Sequence, residues 1–476
     1  MHCLAVGIQP AWVPGATEHA PTVVLVGGLT GVGNSSAAIE RALHVFEKKP
    51  REQRRFNLYV IPHANPEASS MSFPPAGAAY RENGPSHYLW RWLGLHAPDL
   101  VIVAGDQDFG LANALSNNRV AGVGSIQALR VPENTRDILH SIPVRIARSA
   151  AHEERDRRLR RTPREVAEEL SAVYGHEFEQ PVYIPAMALI GRLRLGQQPE
   201  VVALVAPYAG GARNSLANPT SSHLAGHLIF AELADRTGDQ HYIQRVRAAA
   251  DLAFTESGGM KEAMPMHSEM SDSVFMGCPI LAASGKLTGK TVYFDMAMRH
   301  LKFMQSICLR SDGLYRHSPL SEAAWGRGNA FPALGLSWTL LYVPESHPGF
   351  QAALRSFQDH MRTLAKFQDR DGMWHQVIDE RGSYAEFSAT AMIATAMLRG
   401  VSHRWLDRSY ADRAQAAWRG ILMRIGPRGE LVDVCESTGK LRSKEDYFNR
   451  AASFGIDPRG GGMALLLATE LETAPK

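Results

Sequence analysis

Four short apolar runs, rich in β-branched residues, punctuate the first 150 positions: TVVLVGG from Thr22, FNLYVIPHANP from Phe56, DLVIVAGDQD from Asp99 and IPVRIARS from Ile142. Each is bounded by Gly, Pro, Asn or Asp, the residues that end strands. Between them, SSAAIERALHVFEKK and SHYLWRWLGLH repeat apolar residues at helical spacing. Strands alternating with helices predict an α/β layer fold with a mostly parallel sheet. The charged run AHEERDRRLRRTPREVAEEL, Ala151–Leu170, reads as a solvated connecting helix or linker.

From about Thr162 the rhythm changes. Apolar helices rich in small residues recur: PVYIPAMALIGRL, HLAGHLIFAELA, VFMGCPILAASG, AFPALGLSWTLLYV, SATAMIATAMLRGV and GGMALLLATEL, beginning near 182, 223, 274, 330, 388 and 461. A second beat accompanies them. SGGM, SDGLY, RDGMW and RGELV place Gly259, Gly313, Gly372 and Gly429 at intervals of 54 to 59 residues. Each follows an amphipathic helix, such as DMAMRHLKFMQSIC or ALRSFQDHMRTLAKFQ, at a point where the chain turns. An apolar helix buried on every side, alternating with a helix that keeps one wet face, predicts six hairpins closed into an (α/α)6 barrel. An open helical solenoid is the competing arrangement. The expected organisation is multidomain, with an α/β domain over residues 1–155 and the barrel over 160–476. A chain of 476 residues exceeds the size at which a single hydrophobic core keeps growing.

Composition narrows the function classes. Hydrophobic residues make up 45% and charged residues 21% of the chain, as in ordinary globular proteins. The net charge of +3 is too small to argue for nucleic acid and is compatible with an anionic small substrate. Cys3, Cys278, Cys308 and Cys435 are scattered without a CxxC pair and read as reduced thiols. MHCLAVGIQPAW lacks the basic start and long apolar core of a signal peptide, and no apolar stretch is long enough to span a bilayer. The expected compartment is the cytoplasm, with no membrane partner. A homo-oligomer is compatible with the sequence.

The stretch VVLVGGLTGVGNSSAAIE, Val23–Glu40, approaches the phosphate-binding pattern GxxxxGK[ST], but Asn34 stands where the lysine belongs. Without that charge the backbone N–H groups form a weaker cradle. Polar residues that carry chemistry gather instead at the glycine turns of the second half. MSDSVFM puts Asp272 at the mouth of an apolar helix. GLYRHSPLSEAAWGRGNAF holds His317, Trp325, Arg327 and Asn329, and DGMWHQVIDERGSYAEFSATAM holds Trp374, Gln376, Tyr384 and Glu386. Aromatics offer a flat surface for a sugar ring, a guanidinium forks onto a carboxylate, and an Asp moves a proton. Each also has a plain structural role open to it. Asp272 suits a helix N-cap, Trp325 and Trp374 suit packing, and Arg327 suits a pair with Glu322.

WGRGNAF, DGLYRHSP, SDSVFMGCPILA, DGMWHQVID, SYAEFSATAM and GGGMALLLATEL together resemble glycoside hydrolase family 105, the unsaturated rhamnogalacturonyl hydrolases, and the related unsaturated glucuronyl hydrolases of family 88. The resemblance covers about residues 165–475. It implies an (α/α)6 barrel that removes a 4,5-unsaturated uronic acid from the non-reducing end of a short oligosaccharide. It places the acid on Asp272, the histidine after the DGL turn on His317, and the WxR pair on Trp325 and Arg327. Arg327, with Arg213 and Lys261 as further cations, would hold the uronate, and Trp325 and Trp374 would stack on the ring. Asn329, Gln376 and Glu386 complete the expected substrate-binding set, and no cofactor is implied. Three features depart from the family pattern, the first a shorter loop between His317 and Trp325. Phe331 replaces a tryptophan, and NPTSSHLAG supplies Asn218, Ser221, Ser222 and His223 where a second aspartate is expected.

Over about residues 20–150, GGLTGVGNSS, IPHANPEA, FPPAGAAY and HAPDLVIVAGDQD resemble the zinc carboxypeptidase and deacylase fold. That family binds zinc through HxxE on its first loop and a later histidine. Here the loop reads Thr30-Gly31-Val32-Gly33, and no histidine follows Val103-Ala104-Gly105. The resemblance therefore implies a non-catalytic domain without metal. Two alternatives to the unsaturated-uronyl reading remain. One is a hydrolase of saturated β-glucuronides, which would need Glu386 or Glu269 beside Asp272 as a second carboxylate. The other is a carbohydrate-binding or scaffold protein without catalysis.

Overall fold

A computed structural model describes residues 10–17, 19–31 and 33–473; Cys3 and Val32 lie outside the described residues. The chain divides into two compact units. The first runs to Arg160 and includes Arg381–Tyr384 and Asn449–Ser453, and the second takes Arg161–Glu380, Ala385–Phe448 and the chain from Phe454.

The first unit is built from β1 (Ala11–Val13), β2 (Thr22–Val26), α1 (Asn34–Glu47), β3 (Asn57–Ile61), α2 (Gly84–His96), β4 (Leu100–Ala104), α3 (Leu111–Asn117), β5 (Gln127–Val131) and α4 (Ala150–Arg160). The strands form one sheet in the order β1-β3-β2-β4-β5, parallel except for the antiparallel edge strand β1. Central β2 reads as an unbroken apolar run because both its faces are covered. Leu25 packs with Ile39 and Phe46 of α1 on one side, and Val24 and Val26 pack with Leu89 and Leu93 of α2 on the other. The last expected strand is displaced. IPVRIARS is irregular, and the edge position is taken by Gln127–Val131, which is mostly exposed and so lacks an apolar signature.

After β2 the glycine-rich loop closes on itself. Gly28 sits at φ +66°, where a Cβ would collide with the Pro62 carbonyl, and its N–H donates to Ser35 Oγ. The glycine thus serves a tight backbone approach. The charged run that spans the end of this unit is not a solvated linker. Its first part, α4, buries Ala151, His152 and Arg158, and His152 Nδ1 lies 2.7 Å from Asp99 Oδ1. Burial alone would raise the Asp99 carboxyl, but His152 and the N–H groups of Thr22 and Ser149 outweigh it and hold the group below its usual range.

The second unit is helical. It contains α5 (Pro163–Ser171), α6 (Tyr183–Arg194), α7 (Gln198–Ala209), α8 (Ser221–Gly226), α9 (Leu228–Thr237), α10 (Gln240–Asp251), α11 (Ser273–Thr288), α12 (Thr291–Cys308), α13 (Gly326–Tyr342), α14 (Phe350–Ala365), α15 (Phe387–Ser402), α16 (Ser409–Met423), β6 (Leu431–Cys435), α17 (Lys444–Phe448), β7 (Ala452–Gly455, which crosses the division between the units) and α18 (Pro458–Thr473). Helix α6 packs on α8 and α9, these on α11, α11 on α13, α13 on α15, α15 on α18, and α18 back on α6. The ring is closed, so the open solenoid is excluded. Its inner helices are the apolar repeats; all of α13 except Leu341 is buried. Helices α5, α7, α10, α12, α14 and α16 form the outer layer. The rest of the charged run, α5, is one of these, opened by a capping box between Thr162 and Glu165.

The expected beat of glycines marks hairpins at the ends of α10, α12, α14 and α16, with one shift of position. Gly313, Gly372 and Gly429 have φ of +87°, +82° and +78°, but in the first hairpin the left-handed residue is Gly258, not Gly259. Antiparallel bridges Phe254–Met260, Leu309–Tyr315 and Ile425–Leu431 close three of these turns. Each turn hands the chain to the N-terminus of the next inner helix, so the loops that open α11, α13 and α15 gather at one end of the ring.

Candidate active site

Asp272 is the residue before α11, yet its carboxylate makes no capping hydrogen bond. The neighbouring Ser271 fixes it in place instead. Ser271 N–H donates to the His317 carbonyl at 2.9 Å, and Ser271 Oγ donates to the Gly328 carbonyl at 2.6 Å. The head of α11 is thereby tied to the segment before α13. Asp272 Oδ1 faces His317 Nε2 at 3.3 Å. His317 is fully buried; its other nitrogen, Nδ1, lies 2.7 Å from the Tyr447 hydroxyl. Its ring centroid is 4.5 Å from that of Trp325, and the Arg327 guanidinium lies 4.7 Å over the far ring of this stack.

Buried polar atoms normally find partners. Here Asp272 Oδ1, His317 Nε2, Trp325 Nε1 and Gln376 Oε1 are buried without a hydrogen bond from the chain. Gln376 is held by its other end, Nε2 donating to the Tyr447 carbonyl and to Cys435 Sγ. Tyr183, at the start of α6, shares this electrostatic neighbourhood. Burial above all pushes its hydroxyl up to about 12, with Arg327 and Arg459 opposing and Asp272 and Asp457 adding. A carboxylate with an unengaged oxygen, a buried imidazole packed against a buried indole and two guanidinium groups can receive an acidic sugar and exchange a proton with it.

Other expected residues are spent on structure. Glu386 is the N-cap of α15. It accepts from Ser388 N–H at 3.2 Å, Ala389 N–H at 2.5 Å and Cys435 N–H at 2.9 Å, so all its acceptor capacity is turned inward. Arg327 gives one Nη to the Cys435 carbonyl at 2.7 Å and the other to the Glu436 carbonyl at 2.8 Å, with Glu386 at 3.7 Å. Its fork is a strut between α13, α15 and β6 rather than an open clamp. The Glu322 pairing weighed for it is absent, because Glu322 pairs with Arg316. Asn329 bonds the Tyr315 backbone through both ends of its amide and bonds the Trp325 carbonyl as well. Trp374 is core: its ring is fully buried and its Nε1 donates to the Leu364 carbonyl, which removes it as a stacking surface for sugar. Arg213 and Lys261 are exposed on turns leading into α8 and α11, and neither touches the buried set; Lys261 Nζ donates to the Leu252 carbonyl. Tyr384 belongs to the first unit, where its ring stacks on Tyr80 at 4.4 Å. Glu269 is exposed beside Lys440.

Two residues at the site carry no signal in the repeats. Tyr447 lies on α17 and Arg459 on the first turn of α18, after the irregular stretch that follows β6. Arg459 is bonded to Asp457 through two nitrogens and remains 21% exposed. Among the described residues, no group of three or more His, Cys, Asp or Glu side chains could hold a metal ion, and no helix is long and apolar enough to cross a membrane. Cys278, Cys308 and Cys435 are free and buried.

Comparison with known proteins gives a consistent result. Residues 153–474 match the family described as Glycosyl Hydrolase Family 88. The chain is similar to the unsaturated rhamnogalacturonyl hydrolase YesR of Bacillus subtilis, with 25% identity over 52% of this chain and 76% of that protein. Among solved structures, it resembles a family 105 glycoside hydrolase from C. acetobutylicum with a TM-score of 0.57 and 21% identity, covering 65% of this chain and 99% of that one. It also resembles the unsaturated glucuronyl hydrolase of Bacillus sp. GL1, with a TM-score of 0.51 and 15% identity over 66% and 96% of the two chains. These two structural likenesses concern the fold.

Proposed function

The chain belongs to glycosyl hydrolase family 88, and from that premise we propose that it removes a terminal 4,5-unsaturated uronic acid from short acidic oligosaccharides by hydrating the double bond. It is a glycoside hydrolase, and its relative YesR is named for hydrolysis of an unsaturated rhamnogalacturonyl group. The observation that carries the reading is the Asp272 carboxyl, which heads α11 without capping it and stands among buried polar atoms that have no partner in the chain.

Asp272 in its acid form gives its proton to carbon 4 of the vinyl ether, and the positive charge that develops is shared between carbon 5 and the ring oxygen. Asp272, now a carboxylate, takes a proton from a water as the oxygen of that water bonds to carbon 5. The hemiketal so formed opens to a ketone, its ring oxygen becomes a hydroxyl on carbon 1, and the collapse of that centre expels the neighbouring sugar. One carboxyl group suffices for both proton transfers. Hydrolysis of a saturated glucuronide would call on a second carboxylate, and Glu386 is consumed by its helix while Glu269 is exposed beside Lys440. The substrate carboxylate rests against Arg459, which keeps 21% of its surface exposed, with the buried positive charge of Arg327 adding to the field.

The test is direct. Oligosaccharides made by a polysaccharide lyase carry an ultraviolet-absorbing conjugated uronate. The protein is expected to bleach that absorbance and release one free sugar per double bond lost. Release of uronate from a saturated glucuronide with no bleaching of the unsaturated one would overturn the reading.

For residues 1–155 the proposal is a carboxypeptidase-like domain that lacks the zinc ligands of that fold, in a protein of the cytoplasm. Thr30, Gly31 and Gly33 occupy the loop where ligands would be needed. Elemental analysis of the full chain is expected to find no stoichiometric zinc, and chelation is expected to leave activity unchanged. Zinc lost together with activity would refute this part.

A further inference from the structure

We propose that Tyr447 is a positioning residue that fixes the tautomer of His317 and so decides which oxygen of Asp272 carries the catalytic proton. The inference rests on the hydrolase reading for its consequence, but its geometry stands on hydrogen-bond accounting alone. A phenol has one proton to give and two lone pairs to receive with. The Tyr447 hydroxyl accepts the Leu441 main-chain N–H at 3.0 Å, and a main-chain N–H never accepts. The hydroxyl's other hydrogen-bond partner is the His317 ring. Burial pushes the Tyr447 hydroxyl up to about 12, so its own proton stays in place. One acceptor is left for it: His317 Nδ1, at 2.7 Å.

A neutral imidazole that accepts at Nδ1 carries its hydrogen on Nε2. That nitrogen stands 3.3 Å from Asp272 Oδ1, a buried oxygen with no hydrogen-bond partner in the chain. A hydrogen on Nε2 beside Oδ1 makes that oxygen the poorer place for the acid's own proton, so the proton sits on Oδ2. The Asp272 side chain keeps 14% of its surface exposed, and that exposure lies away from buried Oδ1. The reverse tautomer would present a bare Nε2 to the carboxyl and draw the proton to Oδ1, out of reach of the sugar. Tyr447 therefore acts through His317, without touching substrate.

The experiment uses the full chain labelled with nitrogen-15 in its histidines, with the His317 resonances identified by their loss in His317→Gln. Long-range proton–nitrogen correlations report which ring nitrogen bears hydrogen. Wild type is expected to show His317 protonated at Nε2, and Tyr447→Phe, which keeps the ring and removes the hydroxyl, is expected to shift it toward Nδ1. On unsaturated oligosaccharides the same variant is expected to lose about tenfold or more in kcat with KM changed by less than about twofold. Hydrogen on Nδ1 in the wild type overturns the proposal, as does an unchanged tautomer in a folded Tyr447→Phe. Should that variant not fold, the wild-type spectrum decides alone. If the enzyme turns over only another substrate, the tautomer result still stands or falls by itself.

Discussion

Asp272 and Glu386 head α11 and α15 at matching places in the repeat, and only one of them is consumed by its helix. Glu386 caps α15 and also receives Cys435 N–H from β6; Asp272 caps nothing. Substitution should separate them by what fails. Asp272→Asn is expected to lose at least about two powers of ten in rate, the scale of a positioned acid or base, with an unchanged melting temperature. Glu386→Gln is expected to lower the melting temperature, because it leaves Arg327 buried 3.7 Å from a neutral amide. Retention of more than about a tenth of the rate in Asp272→Asn would remove Asp272 from its role. The sequence makes Asp272 conspicuous because an acid opening an all-apolar helix stands out. It makes Glu386, Asn329 and Trp374 equally conspicuous, although they are struts and core. Glu386's partner Cys435 comes from another turn of the ring. The partners of Asn329 and Trp374 are main-chain groups of Tyr315, Trp325 and Leu364, which leave no side-chain mark in the sequence. Tyr447 has the opposite problem: it lies on a five-residue helix outside every repeat.

Among the elements, the inner helices were legible because burial on all sides leaves a run of apolar residues that no polar face interrupts. Less legible was α4. Its charges suggest solvent, but Arg158 is buried against Glu154 and the Gly122 carbonyl, so a polar composition hides an anchored helix. Hairpin glycines were visible by their spacing, yet spacing alone cannot tell Gly258 from Gly259. The difference is testable. Gly372 combines φ +82° with a Cβ position that runs into the Ala416 carbonyl, whereas Gly258, at φ +84°, has nothing near its Cβ position. Gly258→Ala carries backbone strain only, about 1 kcal/mol. Gly372→Ala adds a steric clash with backbone and is expected to cost at least about 2 kcal/mol more than that. Equal losses in denaturant titrations of the two variants would show that the α16 side of the turn yields freely.

At the scale of the whole barrel, closing the ring buries histidines that neither the repeats nor the composition single out. His227 and His300 are fully buried, and burial lowers both to about 4 from a usual 6.5; His360 is lowered for the same reason. Burial holds His300 neutral; Nδ1 accepts the Met264 N–H at 3.2 Å, which suits the neutral ring, while the Ser273 carbonyl 3.0 Å from Nε2 opposes the shift. In the unfolded chain these rings take up protons as pH falls below about 6.5, while in the folded barrel His227 and His300 refuse them until about pH 4. The unfolded state therefore binds more protons across that window, and stability rises with pH there. Each such ring contributes a slope of about 1.4 kcal/mol per pH unit. The contribution is fully present above about 6.5 and is lost progressively toward 4. The urea-unfolding free energy of the barrel, followed from pH 7 to 4, is expected to fall with the slope of two to three protons. In His300→Gln, where a neutral amide takes the place of the ring, the slope is expected to be shallower by about one proton even though the variant is less stable at neutral pH. A stability that stays level from pH 6.5 to 4.5 would mean that water reaches these rings inside the closed ring of helices.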